Sequence, residues 1–203
     1  MTLDVRRPLV LASASPRRRA LLTQIGVPLA VRPVDVDETR REGEAPQVYL
    51  ERVVGLKEAA ARRRVDDASL WVLVADTAVV VDGEVLGKPR DDEEGREMLG
   101  RLSGRDHEVA TRFALFRGAD AVVVGDRAVR QTVSTRVWFR PLDDTQVQRY
   151  VATGEGRDKA GGYAIQGIGA MLVARIEGSY SAVVGLPLAE VAVALTRPAG
   201  WPG

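Results

Sequence analysis

Leu9-Val10-Leu11-Ala12-Ser13-Ala14-Ser15-Pro16-Arg17-Arg18-Arg19 decides how this chain is read. The apolar run Leu9 to Ala12 reads as a buried strand. Ser15 is a good helix N-cap, and Pro16 suits the first helical position. Three guanidinium groups then crowd the positive end of the helix dipole, where each exposed cation is unfavourable by about 0.3–1 kcal/mol. A bound anion reconciles these features, because free backbone N–H groups, two hydroxyls and the arginines would converge on it. The plain alternative is a solvated arginine run. Arg62-Arg63-Arg64 is such a run without that context, so the local pattern leaves both readings open.

Working outward, Pro16 to Ile25 reads as a helix stopped at Gly26, and Ala30 to Val34 as a short strand leading into the acidic turn Asp35-Val36-Asp37-Glu38. Ala45 to Arg64 is a long amphipathic helix with Val48, Val53, Leu56 and Ala60 near one face. Leu70 to Ala75 is a continuous apolar strand that the pattern ends at Asp76-Thr77. Asp82-Gly83, between Val79–Val81 and Val85-Leu86, is a hairpin signal. Asp92 to Leu102 reads as a helix, Glu108 to Phe116 and Val129 to Phe139 as two long strands, and Asp143 to Thr153 as a helix. The connection Arg117 to Arg127 carries a short apolar run, Ala121 to Val124. Gly154 to Gly169 holds too many glycines for a regular element. A strand, Ala170 to Ile176, and a helix, Pro187 to Leu195, follow, with 197–203 expected to be irregular. Alternating strands and helices without a linker indicate one α/β domain spanning 1–203.

Composition narrows the function. The chain has 203 residues, a net charge of +1, 45% hydrophobic and 28% charged residues. That is the profile of a soluble globular domain. It offers no basic excess for nucleic acid, and no apolar run approaches the roughly 20 residues of a membrane span. Met1 to Pro8 lacks the apolar core of a signal peptide, and the absence of cysteine is consistent with the cytoplasmic location expected here. Cysteine is absent and His107 is the single histidine. Thiolate chemistry and multi-histidine zinc sites are therefore excluded, and any metal should be a hard cation held by carboxylate and phosphate oxygens.

Of 29 Lys plus Arg, only Lys57, Lys88 and Lys159 are lysine. A lysine is a compact point charge that arginine does not mimic, so the three are candidates for function; the plain alternative is three exposed surface cations left by chance. Asp76 ends an apolar strand, a place where carboxylates of α/β sheets face ligands. Glu38 in the acidic turn reads as solvated or as a second metal ligand beside Asp76. His107 reads as a turn anchor. Gly161, Gly162, Gly167 and Gly169 suggest close backbone approach to a ligand or a flap. Gln166 within that stretch is either a reader of a base edge or a side chain satisfying backbone.

These pieces occur together as Ser13 to Arg18, Asp37-Glu38, Ala75-Asp76-Thr77, Gly87-Lys88-Pro89, Leu102-Ser103-Gly104 with His107 and Val109, Asp158-Lys159-Ala160-Gly161, Ile165-Gln166-Gly167, and Val184-Gly185-Leu186-Pro187-Leu188. Eight ordered blocks from about Leu9 to Leu195 resemble the Maf family of nucleoside triphosphate pyrophosphatases. The resemblance implies a fold related to the inosine triphosphatase group: an elongated mixed sheet with flanking helices, in two lobes around a nucleotide cleft. It implies hydrolysis of a nucleoside triphosphate to monophosphate and pyrophosphate with a divalent metal, Mg²⁺ or Mn²⁺. Asp76 falls at the position of the family's catalytic residue. Ser13, Arg17, Arg18, Glu38, Lys57, Lys88, Asp158 and Lys159 fall at positions lining the family's cleft, with Glu38 and Asp76 the expected metal ligands. All three lysines are among them.

Family branches differ at the positions of Arg17, Thr77 and Gln166. The Arg/Thr/Gln set resembles the branch acting on dTTP and UTP; the 7-methyl-GTP branch carries Trp/Gln/Glu. A neutral Gln offers both donor and acceptor to a pyrimidine's O4 and N3–H, whereas a Glu suits a guanine edge or a cationic base. Other modified nucleotides are the runner-up substrates, and a regulatory role in septum formation is the rival from outside enzymology. A homodimer is among the expectations. Two departures from the family pattern stand out: Leu56 before Lys57, and Ala164 where Gly is common.

Overall fold

The structure is a computed structural model and describes residues 3–118 and 128–199, with side chains to 196. In chain order the elements are β1 (Leu9–Leu11), α1 (Pro16–Gln24), β2 (Leu29–Val31), α2 (Pro46–Arg64), β3 (Trp71–Val81), β4 (Glu84–Leu86), α3 (Asp92–Leu102), β5 (Asp106–Arg117), β6 (Val129–Phe139), α4 (Asp144–Ala152), β7 (Val173–Glu177), α5 (Tyr180–Val184) and α6 (Leu188–Ala199). Two short 3-10 turns, Ala160–Gly162 and Gly167–Leu172, lie between α4 and β7. The strands form one mixed sheet in the order β2-β1-β3-β5-β6-β7, with β4 paired to β3. β1 runs parallel to both β2 and β3, while β4 and β7 are antiparallel to β3 and β6. The mixed α/β expectation holds.

The chain divides into two compact units. The first comprises Met1–Asp76, Arg112–Thr132 and Gly185–Gly203. Its core packs Val10 and Ala12 of the β1 segment, Val54 and Ala61 of α2, Val72 and Val74 of β3, and Ala114 and Phe116 of β5. The second comprises Thr77–Thr111 and Val133–Val184. Its core joins Val79 and Val81 to Leu99 and Leu102 of α3, Val137 and Phe139 of β6, Tyr150 and Val151 of α4, and Tyr163.

Several expectations shift. β3 does not stop at Asp76; it continues through Thr77 to Val81, because Ala78 to Val81 are again apolar and buried. The buried face of α2 is Leu50, Val53, Val54, Lys57, Glu58, Ala60 and Ala61, while Val48 and Leu56 are exposed. Spacings of three and four from Leu50 reach Lys57 but miss Val48 and Leu56. β7 starts at Val173 rather than Ala170, since 170–172 close a 3-10 turn. α6 runs to Ala199, into the stretch expected to be irregular, and 200–203 lie outside the described residues. Ala121 to Val124 also lies outside them. Among the described residues no helix is long and apolar enough to cross a membrane.

Candidate functional site

The first unit draws Ser13, Arg17 and Arg18 from the β1–α1 turn, Glu38 from the loop after β2, Lys57 from α2 and Asp76 from β3. Ser15 caps α1 by accepting from the Arg18 amide, and Pro16 opens the helix, as the sequence indicates. Arg18 is buried. Its Nε donates to the Gly185 carbonyl at 2.8 Å and its Nη1 to Ser13 Oγ at 3.2 Å. Ser13 is buried, Arg17 half-buried and Arg19 exposed. The three arginines therefore do not share one role: Arg18 is built into the turn.

Lys57 comes from the buried face of α2 and Asp76 from the middle of β3. The Lys57 ammonium lies 2.6 Å from Asp76 Oδ1 and 2.6 Å from Glu38 Oε1. Glu38 was the least constrained of the sequence candidates; here its carboxylate shares one cation with Asp76. Asp76 and Lys57 are each 7% exposed, while the Glu38 side chain reaches solvent at 41%. Burial pulls the Arg18 guanidinium below its ordinary pKa, and the Asp76 and Glu38 charges pull it back up. Arg18 thus belongs electrostatically to the same cluster.

Two features of this cluster escaped the sequence reading. Burial first, and then the Asp76 and Glu38 charges, push the Tyr49 hydroxyl pKa up. Arg52 forms a fork on buried Glu44, at 2.6 and 2.7 Å, and donates to the Thr39 carbonyl at 2.9 Å. Glu44 also accepts from the Arg41 amide at 3.1 Å. This fork fixes the loop that carries Glu38 to the second turn of α2. The i+8 spacing of Glu44 and Arg52 gave no separate signal in the sequence.

The second unit holds the other five candidates. Thr77 and Thr111 hydroxyls are 2.9 Å apart, and Thr111 donates to the Ala182 carbonyl at 2.7 Å. Thr111 has only one hydroxyl proton, so Thr77 is the donor between the two hydroxyls. Lys88 is exposed beyond β4. The adjacent Gly87 carbonyl accepts from the Gly161 amide at 3.0 Å, which brings the Lys88 turn against the Asp158–Gly161 turn. Lys159 pairs with exposed Asp158 and donates to the Glu155 carbonyl at 2.6 Å. Gln166 is exposed.

The glycine-rich stretch is close to its own chain. Gly161 has φ of +70°, and a Cβ there would lie 2.9 Å from Val79 Cγ1. The close approach inferred from the glycines is thus a packing contact at this position. His107 is buried with Nε2 2.7 Å from the Tyr163 hydroxyl, and its ring stands edge-on to Phe139 and Tyr163. It anchors this glycine-rich stretch rather than its own turn. Ala164 sits there without a positive φ, so the usual glycine is not required.

The family model described as Maf-like protein matches residues 8–197, nearly the whole chain. This protein belongs to the Maf family. Among its Maf relatives it is similar to the dTTP/UTP pyrophosphatase of Anaeromyxobacter dehalogenans (strain 2CP-C), 54% identical over 194 residues, covering 96% of this chain and 95% of that one. It is 50% identical over 194 residues to the dTTP/UTP pyrophosphatase of Myxococcus xanthus (strain DK1622), covering 96% and 93%. With the dTTP/UTP pyrophosphatase of Desulfotalea psychrophila (strain LSv54 / DSM 12343) the identity is 45% over 185 residues, 91% of either chain. Among solved structures, the Staphylococcus aureus Ham1 protein is 18% identical and covers 81% of this chain and 79% of that one, with a TM-score of 0.43.

Proposed function

We propose that this Maf protein hydrolyses nucleoside triphosphates to the monophosphate and pyrophosphate, with dTTP and UTP preferred. The observation that carries the proposal is the shared ammonium: Lys57 held between Asp76 and Glu38, with Arg18 in the same field. The relatives' activity supports the substrate class.

Asp76 is the base in this proposal. It accepts a proton from water as the water oxygen bonds to the α-phosphorus, and the bond from that phosphorus to the bridging oxygen breaks, releasing pyrophosphate. Such a base contributes about 10²–10⁴-fold. Ser13, Arg17, Arg18 and the amides at the start of α1 bind phosphate oxygens. Lys57 and Lys88 offset negative charge on the transferred and leaving phosphates. Asp158 and Lys159 are further substrate-binding residues. Thr77 and Gln166 are the selectivity positions, and Gln166 reads the base as donor and acceptor together.

A divalent cation fits these residues. Asp76 and Glu38 present hard carboxylate oxygens of the kind Mg²⁺ or Mn²⁺ takes beside phosphate oxygens. Among the described residues no three His, Cys, Asp or Glu side chains group as a metal site, so the triphosphate would complete the donor set. When bound, the cation supplies charge neutralisation on the triphosphate. Action in the cytoplasm, where free nucleotides are made and used, and as a homodimer, is part of the proposal.

The test is pyrophosphate release from a panel of nucleoside triphosphates with Mg²⁺ and with Mn²⁺, for the wild type and Gln166→Glu. The proposal expects dTTP and UTP to lead the panel and the variant to lose that lead. No pyrophosphate from any member would overturn it, and unchanged selectivity in the variant would overturn the role of Gln166.

A further inference from the structure

Gln166 lies between the two short 3-10 turns Ala160–Gly162 and Gly167–Leu172, which carry Gly161, Gly162, Gly167 and Gly169. Such a backbone has little intrinsic preference, yet reading a base edge by hydrogen bonds needs placement within about 0.5 Å. Something must hold the segment. Two residues do, and neither is among the substrate-binding residues above.

Glu155 follows the end of α4, and its carboxylate accepts from the Ile168 amide at 2.9 Å (Oε1) and the Gly169 amide at 2.7 Å (Oε2). Tyr150, in the last turns of α4 and 3% exposed, donates its hydroxyl proton to Glu155 Oε2 at 3.0 Å. The same hydroxyl oxygen accepts from the Ala164 amide at 3.0 Å. The backbone is therefore pinned two residues before Gln166 and two and three residues after it, by one continuous hydrogen-bonded pair. Burial works against ionising Glu155, but the Gly169 and Ile168 amides and Tyr150 outweigh it and hold its carboxyl below the ordinary value. The glycines fit the same device. A Cβ on Gly167 would lie 2.1 Å from Glu155 Oε1, and one on Gly169 2.1 Å from the Ala164 carbonyl and 2.8 Å from the Tyr150 hydroxyl. The Glu155 backbone carbonyl also takes the Lys159 ammonium, so one residue ties two candidates to the end of α4.

We infer that Glu155 and Tyr150 are positioning residues for base selection, acting by clamping the 164–169 segment so that Gln166 meets the pyrimidine edge. The inference rests on the base-reading role given to Gln166 above. Neither residue is among the phosphate-binding residues proposed above. Loosening the clamp therefore costs discrimination and KM for dTTP more than kcat, because a base contact is made alike in ground and transition states.

The test compares full-length Glu155→Gln, Tyr150→Phe and Gln166→Ala, and the double variant Glu155→Gln/Gln166→Ala. The readouts are kcat and KM for dTTP and dCTP, and hydrogen exchange of amides 164–169. Glu155→Gln is expected to lower dTTP-over-dCTP discrimination about tenfold, the scale of one charge-assisted hydrogen bond, with faster exchange in that segment. In the Gln166→Ala background it should add no further loss, a non-additivity that general destabilisation does not produce. If Glu155→Gln does not fold, Tyr150→Phe carries the comparison, since it keeps the carboxylate and both of its amide donors. Discrimination retained in the clamp variants but lost in Gln166→Ala overturns this inference and leaves the base-reading role standing. Discrimination retained in Gln166→Ala overturns the base-reading role, and the inference with it.

Discussion

The Lys57 ammonium lies 2.6 Å from Asp76 Oδ1, with both side chains only 9% exposed, so the catalytic candidate of this chain is half of a buried ion pair. Asp76→Asn keeps the shape and leaves Lys57 paired to Glu38. Turnover should fall about 10²–10⁴-fold, the contribution of a general base. Steady-state rates of pyrophosphate release check this; a rate near the wild type's would remove Asp76 from the mechanism.

Lys57→Gln acts on the other partner. It leaves two neighbouring carboxylates without their shared cation. Removing one member of a buried pair costs about 3–5 kcal/mol, and the low end applies because Glu38 reaches water. A midpoint lower by about 6–12 °C follows for a chain of this size. A divalent cation bound only by the folded state then restores stability. Thermal scans with and without Mg²⁺ should show a larger upward shift in Lys57→Gln than in the wild type; a variant indifferent to Mg²⁺ contradicts the assignment of Glu38 and Asp76 as metal ligands.

The Glu44–Arg52 fork has a pH signature. The hydrogen bonds from Arg52 hold the Glu44 carboxyl down at about 2, against 4.5 for a free one. A carboxyl depressed in the fold stabilises it above the unfolded value, and that contribution is lost as pH falls from about 4.5 to about 2. Glu44→Gln should therefore lower the midpoint at pH 7, with the difference from wild type shrinking across that window. It should also weaken metal-dependent activity by freeing the loop of Glu38. A midpoint difference that does not vary with pH would show that the fork is not ionic.

Burial drives His107 in the other chemical sense, lowering its pKa from 6.5 to about 4. The fold prefers the neutral ring, so stability is intact above 6.5 and declines as pH falls towards 4, by up to roughly 3 kcal/mol. His107→Phe should flatten the midpoint-versus-pH curve between 6.5 and 4. The activity profile above pH 6.5 should carry no titration that the variant abolishes; a rate step in that range lost in His107→Phe would make His107 more than an anchor of Tyr163.

What the sequence made legible follows from where each signal lies. The β1–α1 turn has its cap, its proline and its strand within eleven consecutive residues, and the Asp82-Gly83 hairpin and α3 are equally local. β3 was misjudged because Asp76-Thr77 looks like a strand end. The polar pair is tolerated mid-strand only because Lys57 and Thr111, 19 and 34 residues away, satisfy it. The buried face of α2 was misjudged for a related reason: a lysine on the apolar stripe makes sense only once its carboxylates are seen. Glu38 looked solvated because its partner is on another element. Glu155 and Tyr150 had no local mark at all, although the glycines they pack against were visible. The candidate lysines were legible through composition alone, since arginine had replaced lysine everywhere else.

The central claim, water attacking the α-phosphorus with Asp76 as its base, is tested most directly by hydrolysing dTTP in ¹⁸O-labelled water and locating the label by mass spectrometry. The account predicts one ¹⁸O in dTMP and none in pyrophosphate, with Asp76→Asn forming the same labelled product at least a hundredfold more slowly. Label in pyrophosphate, or orthophosphate as the first product, would contradict it.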